Sequence, residues 1–209
     1  MPSPSNGEPQ QNRLNHGSGK NDHIVHFYTD DAALIGEWAD YIGTALSSGS
    51  SAIVVATRAH IDGLAARLVT YGVDLQGAID EDRYIARDAA ETLSHFCEDG
   101  KLDAARLGMV GSEIISRATR ASHQEDRCVV VFGEMVALLW ADGYGPAAIE
   151  LEKVWNTLQA SHSFTLRCCY RARDFWHFDH QQPFLDICAQ HSMVVLDTAQ
   201  GPFSSGLPS

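Results

Sequence analysis

One six-residue run limits what this chain can become. Cys128–Gly133 reads CVVVFG, with no charged or strongly polar side chain at any position. Such a strand has no face for water, so it belongs inside a sheet covered on both sides, as in parallel α/β proteins. Five more short runs rich in β-branched and aromatic residues punctuate the chain: His23–Tyr28, Ser51–Thr57, Arg83–Asp88, Phe164–Tyr170 and Met193–Asp197. Longer stretches of helical period separate them, which is the pattern of a mostly parallel sheet wrapped by helices through right-handed crossovers. The expected fold is therefore a three-layer α/β domain with these six strands in one sheet.

The helices are legible from caps and apolar spacing. After the first strand, Thr29 or Asp30 serves as N-cap, Leu34, Ile35, Trp38, Ile42 and Leu46 share a face, and Gly49 marks the end. A second helix is expected from Ala59 to Tyr71 with Ile61, Leu64, Leu68 and Val69 inward. A third is expected from Asp103 to Ser122 with Leu107, Val110, Ile114 and Ala118 inward. Glu134–Asp142 comes next, then a helix opened by Pro146 and running to Ala160 that buries Ile149, Leu151, Trp155 and Leu158, and finally Pro183–His191. Residues 1–22 are Pro, Ser, Gly, Asn and Gln with few apolar side chains and read as a flexible head. The folded body is expected over 23–198, and 199–209 reads as a flexible tail.

Charge narrows the partners. The formal net charge is -12 with only 15 Lys and Arg, too few for a surface that neutralises phosphates. The densest basic stretch, Arg117, Arg120 and Arg127, is interrupted by Glu113, Glu125 and Asp126 and reads as a solvated helix face. No direct nucleic-acid partner is expected. The longest apolar run, around Met135 to Trp140, is far short of the ~20 residues that span a bilayer, so no membrane partner is expected either. Five cysteines and no signal-like start point to reduced thiols and a cytoplasmic protein.

In open parallel sheets ligands bind beyond the carboxyl ends of the strands, which makes Tyr28, Thr57, Arg58, Asp88, Glu134, Tyr170 and Arg171 the first candidates. Tyr28, Trp140 and Tyr170 flank those ends and could enclose an apolar ligand while a phenol orients it. Glu134 has two readings, a carboxylate holding a ligand or an acid capping the following helix. Gly17-Ser18-Gly19-Lys20 resembles part of a phosphate loop. It lacks the first glycine, has Asn21 at the hydroxyl position and precedes the first strand, so nucleotide binding there is not expected. Where such a loop would belong, the chain has Asp30 and Asp31, which repel a triphosphate. Cys168 and Cys169 are adjacent on one strand and point to opposite faces, which disfavours zinc shared between them. His23 and His26 also face opposite ways, while His177, His180 and His191 fall near the far end of the sheet; such histidines are mostly surface or satisfied core residues, so a haem or metal site is disfavoured. A covalent catalytic set drawn from Cys169, His191 and Glu134 rests only on strand-end proximity. No cofactor, metal or catalytic set is expected.

Several of these residues also carry a resemblance. His23-Ile-Val-His-Phe-Tyr28, Tyr71-Gly-Val-Asp74, Gly133-Glu134-Met135, Leu166-Arg-Cys-Cys-Tyr170 and Ile187-Cys-Ala-Gln-His191, in this order from about His23 to Leu196, resemble the MEDS family, the methanogen/methylotroph DcmR sensory domain. The resemblance implies a degenerate RecA- or KaiC-like domain without a phosphate loop that senses small molecules, such as hydrocarbon derivatives, for transcription regulators or signalling kinases. It also implies that His23, Tyr28, Glu134, Tyr170 and His191 are the polar residues of interest. Together with Arg58 and Trp140 they form the expected ligand-binding set. The sequence leaves no room for a helix-turn-helix or kinase core, so the expected output runs through a regulatory protein partner or a homo-oligomer. A ligand sensor is the first expectation, a protein-interaction adaptor without a small ligand the second, and a nucleotide-using enzyme the third.

Overall fold

The run that constrains the sequence sits where its composition demands. In the computed structural model, which describes residues 21–124, 128–175 and 181–197, β6 (Val129–Gly133) is buried at every residue. It pairs in parallel with β2 (Ser51–Ala56) on one side and β7 (Thr165–Arg171) on the other. Beyond β7 lie β1 (His23–Tyr28) and then β8 (Met193–Leu196), and β3 (Tyr84–Asp88) flanks β2. The order is β3-β2-β6-β7-β1-β8, all parallel.

The two faces are covered by different helices. The first carries α1 (Asp31–Ser47), α2 (Arg58–Thr70) and α3 (Leu75–Asp80), packed on Ala52, Val54, Val130, Phe132 and Cys169. The second carries α4 (Ala89–Ser94), α5 (Ala104–Ala121), α6 (Met135–Ala141), α7 (Gly145–Gln159) and α8 (Gln181–Cys188), packed on Val25, Phe27, Ile53, Val131, Leu166, Cys168 and Tyr170. Successive residues of β6 and β7 enter opposite cores, as the two-residue pleat requires. Losing one large buried side chain from either layer, Leu64 or Leu151 to Ala for example, costs ~2–5 kcal/mol in cores of this kind.

Asp30 is the cap of α1, its side chain accepting from the Ala33 amide at 2.7 Å. At the other end Gly49 takes φ +85, which a side chain would strain, and its carbonyl accepts from His123 at 2.8 Å. The structure corrects several sequence expectations. Val69 is 61% exposed, because the inward stripe of α2 runs Ile61, Leu64, Leu68 and Val69 lies off it. On α5, Ile115 is buried while Val110 and Ile114 are only half-buried. The last helix is Gln181–Cys188, shifted from the expected Pro183–His191.

The additions are α3, α4, a hairpin of β4 (Cys97–Glu98) with β5 (Lys101–Leu102), and a 3-10 turn over Ala172–Phe175. Two turns of helix or two residues of strand are too short to show a period, and the legible signals are the caps, Asp74 onto Gly77 and Asp88 onto Glu91. The expected head over residues 1–20, the last residue of the expected body and the tail, His177 and His180 lie outside the described residues. No helix among the described residues is long and apolar enough to cross a membrane.

The wrapping also fixes where a crevice can form. The chain leaves β1 and β2 toward the first face, through α1 and α2, and leaves β6 and β7 toward the second. Neighbouring strands whose connections diverge leave a gap at their carboxyl ends.

Candidate functional site

Glu134 stands at the carboxyl end of β6, 2% exposed. It occupies the N-cap position of α6, but its carboxylate makes no capping bond. Instead one oxygen accepts from His60 Nδ1 at 2.7 Å and the other from the Thr57 amide at 2.9 Å. The Glu134 amide donates to the Val55 carbonyl at 2.9 Å, so one residue ties the ends of β2 and β6 by both main chain and side chain. Of its two sequence readings, the capping one is corrected.

From Glu134 a chain of polar contacts leads outward. His60, in the first turn of α2 and buried, turns Nε2 toward Asp31 Oδ1 at 3.5 Å. Asp31 opens α1, where its charge suits the helix N-terminus, and its other oxygen accepts from Arg171 Nη2 at 3.2 Å. Arg171 Nε donates to the Tyr28 hydroxyl at 3.1 Å. The Tyr28 and His60 rings lie 6.1 Å apart. Glu134, His60, Asp31, Arg171 and Tyr28 thus form one relay from the core to solvent, where Asp31 is 51% and Arg171 38% exposed. An open cleft of about 410 Å³, lined by Tyr28, Thr29, Asp30, Asp31, Ala32, Arg171 and Arg173, covers the outer end.

The electrostatics follow from the contacts. Hydrogen bonding to Glu134 raises the His60 pKa; burial opposes this and the charges of Glu134 and Asp31 support it. Burial pushes the Tyr28 phenol up and the Glu134 charge adds to it, so the phenol keeps its proton and its oxygen accepts from Arg171.

A second polar cluster lies on the opposite face, sealed in the core. Glu152 of α7 is fully buried. Its Oε1 accepts from the Tyr170 hydroxyl at 2.8 Å, and its Oε2 accepts from the Cys168 thiol at 3.1 Å. His23 Nε2 lies 3.2 Å and His191 Nε2 3.4 Å from that same Oε2. Burial pushes the Glu152 carboxyl up, yet hydrogen bonds and charge from His191 and His23, when those rings are protonated, outweigh burial and hold it well below the usual carboxylate range. Burial, then the Glu152 charge, push the Cys168 thiol and the Tyr170 phenol well up, so both remain proton donors.

The sequence-derived set therefore divides. Tyr28 and Glu134 share the crevice with His60, Asp31 and Arg171. His23, Tyr170 and His191 meet instead around Glu152, so the expected single pocket joining Tyr28, Glu134 and Tyr170 is corrected. Tyr170 pairs with Phe27 in register and points to the second face, whereas Tyr28 points to the first. Arg58 sits at the start of α2 with its side chain 63% exposed, 3.8 Å from Asp88. Trp140 stacks on Phe175 at 4.6 Å and donates to the Asp174 carbonyl at 3.3 Å, part of the second-face packing and not a wall of the cleft. The Cys169, His191 and Glu134 catalytic set is not assembled, because Cys169 faces the first core and His191 the second cluster.

His60, Asp31 and Glu152 were not singled out from sequence as site residues. Glu152 left a signal all the same, a carboxylate on the buried stripe Ala148, Leu151, Trp155, Leu158 of α7.

A search of curated protein sequences gave no match. The family model described as the MEthanogen/methylotroph, DcmR Sensory domain matches residues 22–181, a span holding β1, the whole crevice and most of the sheet. With that match over most of its length, the chain belongs to the MEDS family of sensory domains.

Proposed function

We propose that this sensory domain works by binding a small molecule in the crevice beyond the carboxyl ends of its strands and passing the occupancy to a protein partner, without catalysing a reaction. The observation that carries this reading is the relay from the exposed Asp31–Arg171 pair through His60 to the buried Glu134. A ligand whose polar group competes for Arg171 or Asp31 changes what His60 faces. His60 in turn changes the contact that pins the ends of β2 and β6. The walls offer the Tyr28 phenol, two guanidiniums and two carboxylates around an open space of about 410 Å³, which suits a small molecule with one or two polar groups.

Thermal-shift titration of the purified chain with a panel of small alcohols, carboxylic acids and amines tests the reading, with magnesium ATP as the contrasting ligand. A concentration-dependent rise in Tm is expected for at least one panel compound. The same compound should lose its effect in Arg171→Met. Stabilisation and hydrolysis of magnesium ATP, with no response to the panel, would favour a nucleotide enzyme. If no compound acts and native mass spectrometry shows no copurified molecule, the adaptor reading takes its place.

A further inference from the structure

We infer that the sealed cluster of His23, Glu152, Cys168 and His191 is a binding site for one first-row divalent metal ion, zinc before others. One ligand atom from each residue lies within 4.8 Å of all the rest. The contacts Cys168 Sγ to Glu152 Oε2, His23 Nε2 to Glu152 Oε2, His191 Nε2 to Glu152 Oε2 and Cys168 Sγ to His23 Nε2 measure 3.1, 3.2, 3.4 and 3.5 Å. Tetrahedral zinc with bonds of ~2.0–2.3 Å places neighbouring ligand atoms roughly 3.3–3.8 Å apart. Four of the six ligand-to-ligand distances lie close to that range, and the two between His191 and the His23 and Cys168 atoms are within 4.8 Å.

Hydrogen bonding around the cluster points the same way. His191 Nδ1 lies 2.7 Å from the Ile187 carbonyl, which can only accept, so Nδ1 carries the proton. His23 Nδ1 lies 2.9 Å from Asn156 Oδ1, and the Asn156 amide is oriented by its own bond to the Gln190 carbonyl at 3.1 Å, so this Nδ1 also donates. When both rings are neutral, their Nε2 atoms direct lone pairs at a carboxylate that also has only lone pairs to offer. The single thiol proton of Cys168 can serve one of these acceptors. His191 Nε2 is buried and has no hydrogen-bond partner.

A cation between them resolves the conflict. Ring nitrogens oriented by carbonyl acceptors, and a carboxylate oriented by Tyr170, are the usual supports of metal ligands. Binding replaces the thiol proton with a sulfur–zinc bond and releases one proton to solvent, with no change of oxidation state. Zn²⁺ with one thiolate, one carboxylate and two neutral imidazoles sums to zero charge, as a buried site requires. All four positions are filled by protein, so the ion joins β1, α7, β7 and the segment before β8 and leaves no place for substrate.

The other histidine–carboxylate group differs. His26 Nε2 lies 2.9 Å from Asp197, while Glu37 Oε2, 3.8 Å from His26 Nδ1, already faces the Arg167 guanidinium at 3.5 Å, and the group holds no sulfur.

The test uses the full chain, stripped with chelator and titrated with zinc chloride or cobalt(II) chloride. One equivalent of zinc is expected to bind and to raise the Tm. X-ray absorption at the zinc edge should count one sulfur and three nitrogen or oxygen ligands. Cobalt should give tetrahedral visible bands with a thiolate charge-transfer band. His191→Ala should weaken zinc by at least ~100-fold, beyond the ~10–100-fold typical of changing a residue that only orients a ligand, while His26→Ala leaves it unchanged. A folded chain that takes up no zinc, a shell with no sulfur or more than one, or unaltered affinity in His191→Ala would each overturn the site. The absorption measurement needs no variant, so the proposal stays decidable if a substitution prevents folding.

Discussion

The molecule builds two clusters from nearly the same parts, one on each face of a single sheet. On the first face a glutamate at a strand end holds a histidine and is connected through an aspartate and an arginine to a tyrosine at a cleft. On the second, a helix glutamate holds a tyrosine and a thiol and faces two histidines, with no member open to solvent as the crevice's Asp31 and Arg171 are. The crevice ends in exposed groups that solvent can screen and a ligand can displace. The sealed cluster must meet all its polar needs from the protein or from an ion it encloses. Similar side chains therefore form a solvent-reaching network in one place and a sealed one in the other, and the difference lies in burial.

Three measurements can break or sharpen that contrast. The largest effect is expected for Glu152→Ala, which leaves Tyr170, Cys168 and two histidines facing a hole. Breaking buried ionic groups of this kind costs ~3–5 kcal/mol. A urea unfolding curve should show such a loss, and a change below ~1 kcal/mol would mean that the second cluster does not brace the fold.

Glu134→Gln should cost less, ~1–3 kcal/mol, because the amide keeps one acceptor for the Thr57 amide or His60. It should also alter the response to pH. The folded-state pKa of His60 is raised, so its pairing adds stability that is complete below the unfolded value of 6.5 and is lost as pH climbs through the higher folded value. Unfolding free energies measured across that window should fall with rising pH in the parent chain and flatten in Glu134→Gln. An unchanged slope would place the titration elsewhere.

Asp31→Asn should matter least to stability. Its pairs with Arg171 and His60 are half-exposed and screened, and such pairs contribute about 0–1 kcal/mol. Its effect should appear instead in the affinity of any compound found by the thermal-shift panel. A variant that destabilises the chain but binds that compound normally would reverse the roles of the two clusters.

How much of this the sequence discloses depends on the distance over which each signal acts. The strands and long helices are visible because their periods are local, and CVVVFG announces the sheet interior. Tyr28, Glu134 and Arg171 follow from the strand-end rule. His60 escapes that rule because it lies inside a helix, where only the fold brings it to Glu134. Pleat parity already separates His23 from Tyr28, since they are five residues apart on one strand, yet the resemblance groups them together. The argument from Cys168 and Cys169 correctly sends the neighbours to opposite faces. It does not address what Cys168 meets there, because Glu152 and His191 arrive from α7 and from the turn after α8.

β1 lies between β7 and β8, so the first strand of the sheet has the last two as its neighbours. During synthesis it therefore waits, without either edge partner, until nearly the whole body has emerged from the ribosome. Pairings so distant in sequence form slowly and leave apolar strand exposed meanwhile. Both clusters are anchored in that strand, through Tyr28 at one end and His23 at the other. Neither cluster can assemble before β7 is made, so the two ends of one early strand share the same wait for a late neighbour.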